Sequence, residues 1–86
     1  MAEKLLDVSD LEPPEPFEQA LAALAELSEG DYLRLLHRRE PFPLYDILEQ
    51  QGYTWHTRPG QTTEVEILIW RKADGAAGAA IRQAQN

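Results

Sequence analysis

The stretch Asp10–Leu24, DLEPPEPFEQALAAL, marks the change from a strand to a helix and sets the order of the elements around it. Pro16 suits the first turn of a helix, where its missing N–H costs nothing, and Glu15 and Glu18 complement the positive end of the helix dipole. Gly30 is the expected end of this helix. Its apolar face follows helical spacing at Phe17, Ala20, Leu21, Leu24 and Leu27.

The flanking segments supply four strands and a second helix. In the segment EVEILIWR at 64–71, polar and apolar residues first alternate and an uninterrupted apolar run then follows. This pattern predicts a central strand. Pro43 can open the second helix and Gly52 can end it. The predicted strands are KLLDV at 4–8, DYLRLLH at 31–37, YTWHTR at 53–58 and EVEILIWR, and the second helix is LYDILEQQ at 44–51.

The resulting order, β-α-β-α-β-β, predicts an α/β (α+β) fold. Right-handed crossovers make the first three strands parallel and place both helices on one face, while the last strand returns through a hairpin. We therefore expect a two-layer α/β sandwich with a mixed four-stranded sheet. We assign residues 1–72 to a single domain and expect residues 73–86, with glycines among small residues, to form a flexible tail, with a partly helical segment as the alternative.

Composition narrows the classes of function. The 86-residue chain has no cysteine and two histidines, which excludes thiol chemistry and argues against a metal site. Its net charge of −7 is uneven, because residues 1–31 carry −8 and residues 32–86 carry +1. That balance argues against nucleic acid as the main partner. No apolar run has membrane-spanning length, and the start MAEKLLDVSD lacks an apolar signal core, which indicates a cytoplasmic protein.

Two segments carry a resemblance to a known family. The segments LEPPEP at 11–16 and REPFPLY at 39–45 resemble the bacterial domain of unknown function family 2249, over about residues 4–71. That family is related to the TusA/SirA sulfur carriers. The resemblance implies a TusA/SirA-like two-layer sandwich in which the second and fourth strands are central.

The sulfur carriers begin their first helix with a Cys-Pro-x-Pro motif, whose cysteine has a lowered pKa at the helix N-terminus. Here the corresponding residues are Pro13, Pro14, Glu15 and Pro16, so proline replaces the nucleophile. The resemblance therefore implies a sulfur-carrier fold without persulfide transfer.

Topology predicts the location of a binding site. Loops that follow parallel strands gather at the carboxyl edge of the sheet, where ligand sites are common. An arginine pair beside a helix N-terminus can hold an anion, although pairing with the acidic residues Glu12, Glu15 or Asp10 is the favoured interpretation. The candidate binding residues are Glu12, Pro13, Pro14, Glu15, Arg38, Arg39, Glu40 and Tyr45.

The sheet face away from the two helices is the second candidate surface. Alternation would leave Leu36, Leu68 and Trp70 as an apolar patch there, and exposed patches with tryptophan often mark partner surfaces. An equally weighted alternative is that the tail folds over Trp70 or that the strand alternation is shifted by one residue. His37 and His56 lack catalytic partners and are interpreted as surface or strand residues.

These features favour a non-enzymatic binding or regulatory module without cofactor or metal, whose partner is a protein or a small ligand. One alternative is a docking accessory in sulfur or redox metabolism. Another is an RNA-binding domain, since the C-terminal domain of translation initiation factor three has a similar topology, but the acidic charge disfavours it. An apolar sheet face is also compatible with a homodimer.

Overall fold

The computed structural model describes residues 3–84. These residues form a four-stranded mixed sheet and three helices, an α+β fold. The elements in chain order are β1 (Glu3–Asp7), α1 (Glu15–Ala25), β2 (Tyr32–His37), α2 (Phe42–Gln50), β3 (Tyr53–Pro59), β4 (Val65–Arg71) and α3 (Gly75–Ala84).

The strand order is β1-β2-β4-β3, with β1 parallel to β2 and β4 antiparallel to both β2 and β3. The predicted central positions of the second and fourth strands are confirmed. Both central strands are buried along most of their length, which explains the continuous apolar run in β4.

The main core lies between the sheet and the pair α1 and α2. Leu24 of α1 and Leu48 of α2 pack with inward residues of the central strands, Leu33, Leu35, Ile67 and Ile69. The sheet and these two helices form the two predicted layers, and Leu33 and Leu35 lie on one face of β2, as strand alternation requires.

The structure differs from the expected flexible tail over residues 75–84, which form α3 on the opposite face of the sheet. Ile81 is buried there against Tyr32 and Leu68, with Trp70 packed at the side. Burial of this apolar side outweighs the low helix propensity of the glycines. Residues 85 and 86 of the predicted tail lie outside the described residues.

Asp74 explains where α3 begins. Its carboxylate accepts hydrogen bonds from the N–H of Ala77 at 3.0 Å and from the N–H of Gly30 at 2.7 Å. The first bond caps the helix, and the second ties its start to the turn before β2. These bonds lower the pKa of Asp74.

Within residues 3–84, no helix combines the length and the apolar character needed to cross a membrane.

Candidate functional site

A cavity of about 310 Å³ opens at the carboxyl edge of the sheet, between the segments 11–17 and 37–44. We call it the edge cavity. These two segments follow β1 and β2, so the predicted convergence of the first two loops at this edge is confirmed. The walls are mainly apolar and comprise Leu11, Pro13, Pro14, Pro16, Phe17, Leu35, Pro41, Pro43 and Leu44, and residues 37–40 supply the polar part.

Hydrogen bonds hold the first wall close to the sheet. The N–H of Val8 donates to the carbonyl of Leu36 at 3.0 Å, which extends the pairing of β1 and β2 by one residue. The N–H of Leu11 then donates to the carbonyl of Val8 at 3.1 Å, and that of Glu15 to Glu12 at 2.9 Å. The chain thus turns tightly from the strand into α1.

Prolines shape both helix starts that border the edge cavity. Proline is the second residue of α1, at Pro16, and of α2, at Pro43. The residues before the two helices, Pro14 and Pro41, offer no side-chain cap. Because proline fixes its φ angle and has no N–H, these walls are stiff and poor in hydrogen-bond donors. Polar recognition in the cavity therefore falls to residues 37–40.

The two arginines of this segment have different surroundings. Arg38 Nη2 lies 3.3 Å from Glu12 Oε2, which confirms the predicted pairing with the acidic loop for this residue. The Glu12 side chain is 79% exposed, so water screens the pair strongly. Arg39 is exposed at the cavity rim, and its guanidinium forms no ion pair within residues 3–84.

Glu40 is held by Tyr45 and forms no ion pair with either arginine among residues 3–84. The Tyr45 hydroxyl donates to Glu40 Oε1 at 3.0 Å, and it lies 2.6 Å from Thr57 Oγ1, which must then be the donor of that second bond. The Tyr45 ring stacks on Trp55 with centroids 4.9 Å apart. Burial raises the pKa of the Tyr45 hydroxyl, so it stays protonated and acts as an anchor.

His37 is the last residue of β2, as its interpretation as a strand residue predicted, but it is only 8% exposed and lines the edge cavity. Its Nδ1 accepts a hydrogen bond from the backbone N–H of Arg39 at 3.3 Å. Burial and the positive charges of Arg39 and Arg38 lower its pKa. The ring is therefore neutral near pH 7 and carries its proton on Nε2. The alternation of Leu33, Leu35 and His37 toward one face was the signal for this placement.

Several candidate residues lie outside the cavity lining. Glu12 and Glu15 are exposed beside it, and Tyr45 reaches it only through Glu40. Pro13, Pro14, Arg38, Arg39 and Glu40 do line it.

The second candidate surface has little free apolar area. Leu68 is fully buried and packs with Ile81 of α3, and Trp70 is half-buried beside them. Leu36 is 7% exposed. The folding of the C-terminal segment over this face, weighed as an alternative, is the arrangement observed.

The same sheet face holds a buried charge cluster that centres on Glu66. Arg34 donates to both carboxylate oxygens of Glu66 at 3.0 Å, and Arg58 donates to Oε1 at 3.2 Å from Nε and at 3.1 Å from Nη2. These arginines lower the pKa of Glu66 to about 2 although burial opposes the shift. The alternation that places Leu68 and Trp70 on this face places Glu66 there too, and the sequence prediction overlooked it.

Among residues 3–84, no three histidine or carboxylate side chains gather in a group able to hold a metal ion.

Comparison with known proteins places the chain in a family. No curated protein and no solved structure shows significant similarity to it. The family model described as "Uncharacterized conserved protein (DUF2249)" matches residues 5–71, which span β1 through β4 and include the whole edge cavity. The chain therefore belongs to the DUF2249 family.

Proposed function

We propose that this protein is a small, non-enzymatic binding or regulatory module whose ligand site is the edge cavity. The observation that carries the proposal is an apolar cavity lined by an exposed arginine, Arg39, that has no ion-pair partner among residues 3–84. Concave apolar sites with a few polar groups are typical of ligand binding. The volume of about 310 Å³ corresponds to a small ligand or one side chain of a partner.

The chemistry of the lining supports binding rather than catalysis. The chain has no cysteine, and the lining has no serine, threonine or lysine that could act as a nucleophile. His37 has no carboxylate hydrogen-bonded to its ring within residues 3–84. Glu40 is held by Tyr45. These groups can orient a ligand, but they do not form an acid–base pair.

A backbone NMR titration with a fragment library of neutral, cationic and anionic compounds tests this proposal. We expect some fragments to shift amides of residues 11–17 and 37–44 together, and an Arg38→Ala/Arg39→Ala variant to weaken the anionic ones. Lys72→Ala/Arg82→Ala is the charge-matched control, since it also removes two positive charges: Lys72 follows β4 at the opposite edge of the sheet, and Arg82 is exposed on α3. A library that leaves both segments unshifted would refute the edge cavity as a ligand site.

A second candidate function is a docking accessory in sulfur or redox metabolism. It is supported by the resemblance of Pro13–Pro16 to the Cys-Pro-x-Pro motif and by the position of Pro13 in the cavity wall. If the surface around a sulfur carrier's cysteine is retained, a Pro13→Cys variant should accept persulfide sulfur from a cysteine desulfurase. A variant that stays unmodified, while a sulfur carrier is loaded under the same conditions, would remove this candidate.

A further inference from the structure

The polar side of the edge cavity presents two groups that have no partner in the described part of the chain. The first is the guanidinium of Arg39, which has no ion pair within residues 3–84. The second is Nε2 of His37, on a side chain more than nine-tenths buried, whose Nδ1 already accepts from the Arg39 backbone. Nε2 makes no hydrogen bond to another described residue, and no fully buried side-chain nitrogen or oxygen among these residues lacks a partner, so this atom is open to the cavity.

Both groups are donors, and the other polar groups nearby are occupied. An arginine side chain has no acceptor, and neutral His37 protonated on Nε2 can only donate from that atom. Arg38 is paired with Glu12, and Glu40 is paired with Tyr45. The arrangement therefore favours an acceptor that carries negative charge.

The rest of the cavity lining is apolar and favours a ligand that has an apolar body. Leu11, Phe17, Leu35 and Leu44 lie on the same cavity as His37 and Arg39, and five prolines complete its walls. A fully hydrated inorganic anion gains nothing from such walls and loses water there. A ligand with an acidic head and an apolar body satisfies both parts of the cavity.

We propose that the edge cavity binds a small carboxylic acid with an aryl or branched alkyl body, whose carboxylate meets Arg39 and the Nε2–H of His37. This inference rests on the proposed function and specifies its ligand class. The planar guanidinium matches a carboxylate well, and the neutral imidazole adds a second donor. The apolar body lies against Phe17 and the leucines and replaces water in the cavity.

The test compares four probes by NMR titration of the full chain: phenylacetate, phenylacetamide, isovalerate and inorganic phosphate. We expect phenylacetate and isovalerate to shift residues 37–44, and phenylacetate to bind at least about tenfold more tightly than phenylacetamide or phosphate. Arg39→Gln should weaken phenylacetate about tenfold and leave phenylacetamide unchanged. Lys72→Gln removes the same charge at the opposite edge and should change neither.

A second readout reports on His37 directly. Nitrogen-15 spectra of the imidazole should show the Nε2–H tautomer, and phenylacetate should shift Nε2 more than Nδ1. His37→Phe should lower phenylacetate affinity, and its unfolding midpoint checks that the variant is folded. A ring with its proton on Nδ1 would overturn the role of His37.

The possible failures are distinguishable. Equal binding of acid and amide, or tighter binding of phosphate, would overturn the carboxylic-acid inference but keep the edge cavity as a ligand site. Full phenylacetate affinity in Arg39→Gln would also overturn it. If neither these probes nor the neutral fragments shift the two segments, the proposed function fails together with the inference.

Discussion

Two charged clusters of this protein contrast in how completely they are paired. Around Glu66, one buried carboxylate is held by two arginines from neighbouring strands, and the Gln61 N–H lies 3.5 Å from Oε2. At the edge cavity, Arg39 and His37 Nε2 meet no partner within residues 3–84. The contrast teaches that a charged residue does not by itself indicate a ligand site. A cluster whose charges are all paired stabilises the fold, whereas unpaired groups beside an apolar cavity are available to bind a ligand.

The largest expected effect breaks the saturated cluster. Glu66→Gln leaves Arg34 and Arg58 without their shared counter-charge and should lower the free energy of unfolding by about 3 kcal/mol. Urea denaturation at pH 7 measures it. Binding of phenylacetate at the edge cavity should be unchanged in the folded variant. A loss below about 1 kcal/mol would show that solvent already compensates both arginines.

The pH dependence of that cluster has a definite sign. Since the pKa of Glu66 falls from 4.5 to about 2 on folding, its stabilisation is complete above about pH 4.5 and is lost as the pH falls toward 2. The difference in unfolding free energy between wild type and Glu66→Gln should therefore shrink to about half between pH 7 and pH 3. A pH-independent difference in urea denaturation would contradict the ion-pair explanation.

At the edge cavity, the anchor of Glu40 should have a smaller effect. Tyr45→Phe removes the hydroxyl that joins Glu40 to Thr57 but keeps the ring stack on Trp55, and should cost about 1 kcal/mol of unfolding free energy. Tyr53→Phe is the matched control, since the Tyr53 hydroxyl makes one longer bond of 3.3 Å to the carbonyl of Leu24. If both variants lost the same free energy of unfolding, the Tyr45 hydroxyl would contribute no more to stability than the Tyr53 hydroxyl.

A substitution in α3 should act in the stabilising direction. A Cβ atom at Gly78 would lie 3.4 Å from Trp70 Nε1, an ordinary van der Waals contact. Gly78→Ala should therefore raise the free energy of unfolding by about 0.5–1 kcal/mol through helix propensity. Thermal unfolding measures the gain, and an unchanged midpoint would indicate that the segment is not helical in solution.

The smallest expected effect belongs to the unpaired arginine. Arg39→Ala should change the free energy of unfolding by less than about 0.5 kcal/mol, because its exposed guanidinium stabilises no part of the fold. Arg38→Ala should be similar, since its ion pair is screened by water. Urea denaturation of both variants checks this, and a large loss in Arg39→Ala would assign it a structural partner instead.

The sheet topology could be predicted because its signals are local and repeated. Alternation in β2 and the continuous apolar run in β4 reflect burial on one or both faces, and the right-handed crossover rule makes β1, β2 and β3 parallel with α1 and α2 on one face. The central position of the second strand was implied by the family resemblance. The first helix was expected to reach Gly30 but ends at Ala25, and Gly30 instead adopts φ +87° in the turn before β2. A glycine in the sequence indicates that a positive φ angle is possible there, but not whether that angle ends a helix or belongs to a later turn.

The third helix and the polar side of the cavity could not be predicted, because they depend on contacts between residues that are far apart in the sequence. Glycine and alanine in α3 give a weak helical signal, and burial of Ile81 against Tyr32 and Leu68 decides the outcome. The cap at Asp74 was the available local signal. The sequence places both Arg38 and Arg39 in the loop after β2. It does not reveal that Arg38 pairs with Glu12 while Arg39 has no ion pair among residues 3–84.

The acidic N-terminal third of the chain, which supplies one wall of the edge cavity, has a kinetic consequence. Residues 1–31 carry −8, so an anion approaching from a distance is repelled before it meets Arg39. That repulsion is screened beyond about 10 Å at 0.1 M salt, whereas contact with the guanidinium is made at a few ångströms. Added salt should therefore speed the arrival of an acidic ligand, the reverse of the slowing seen where opposite charges steer two molecules together.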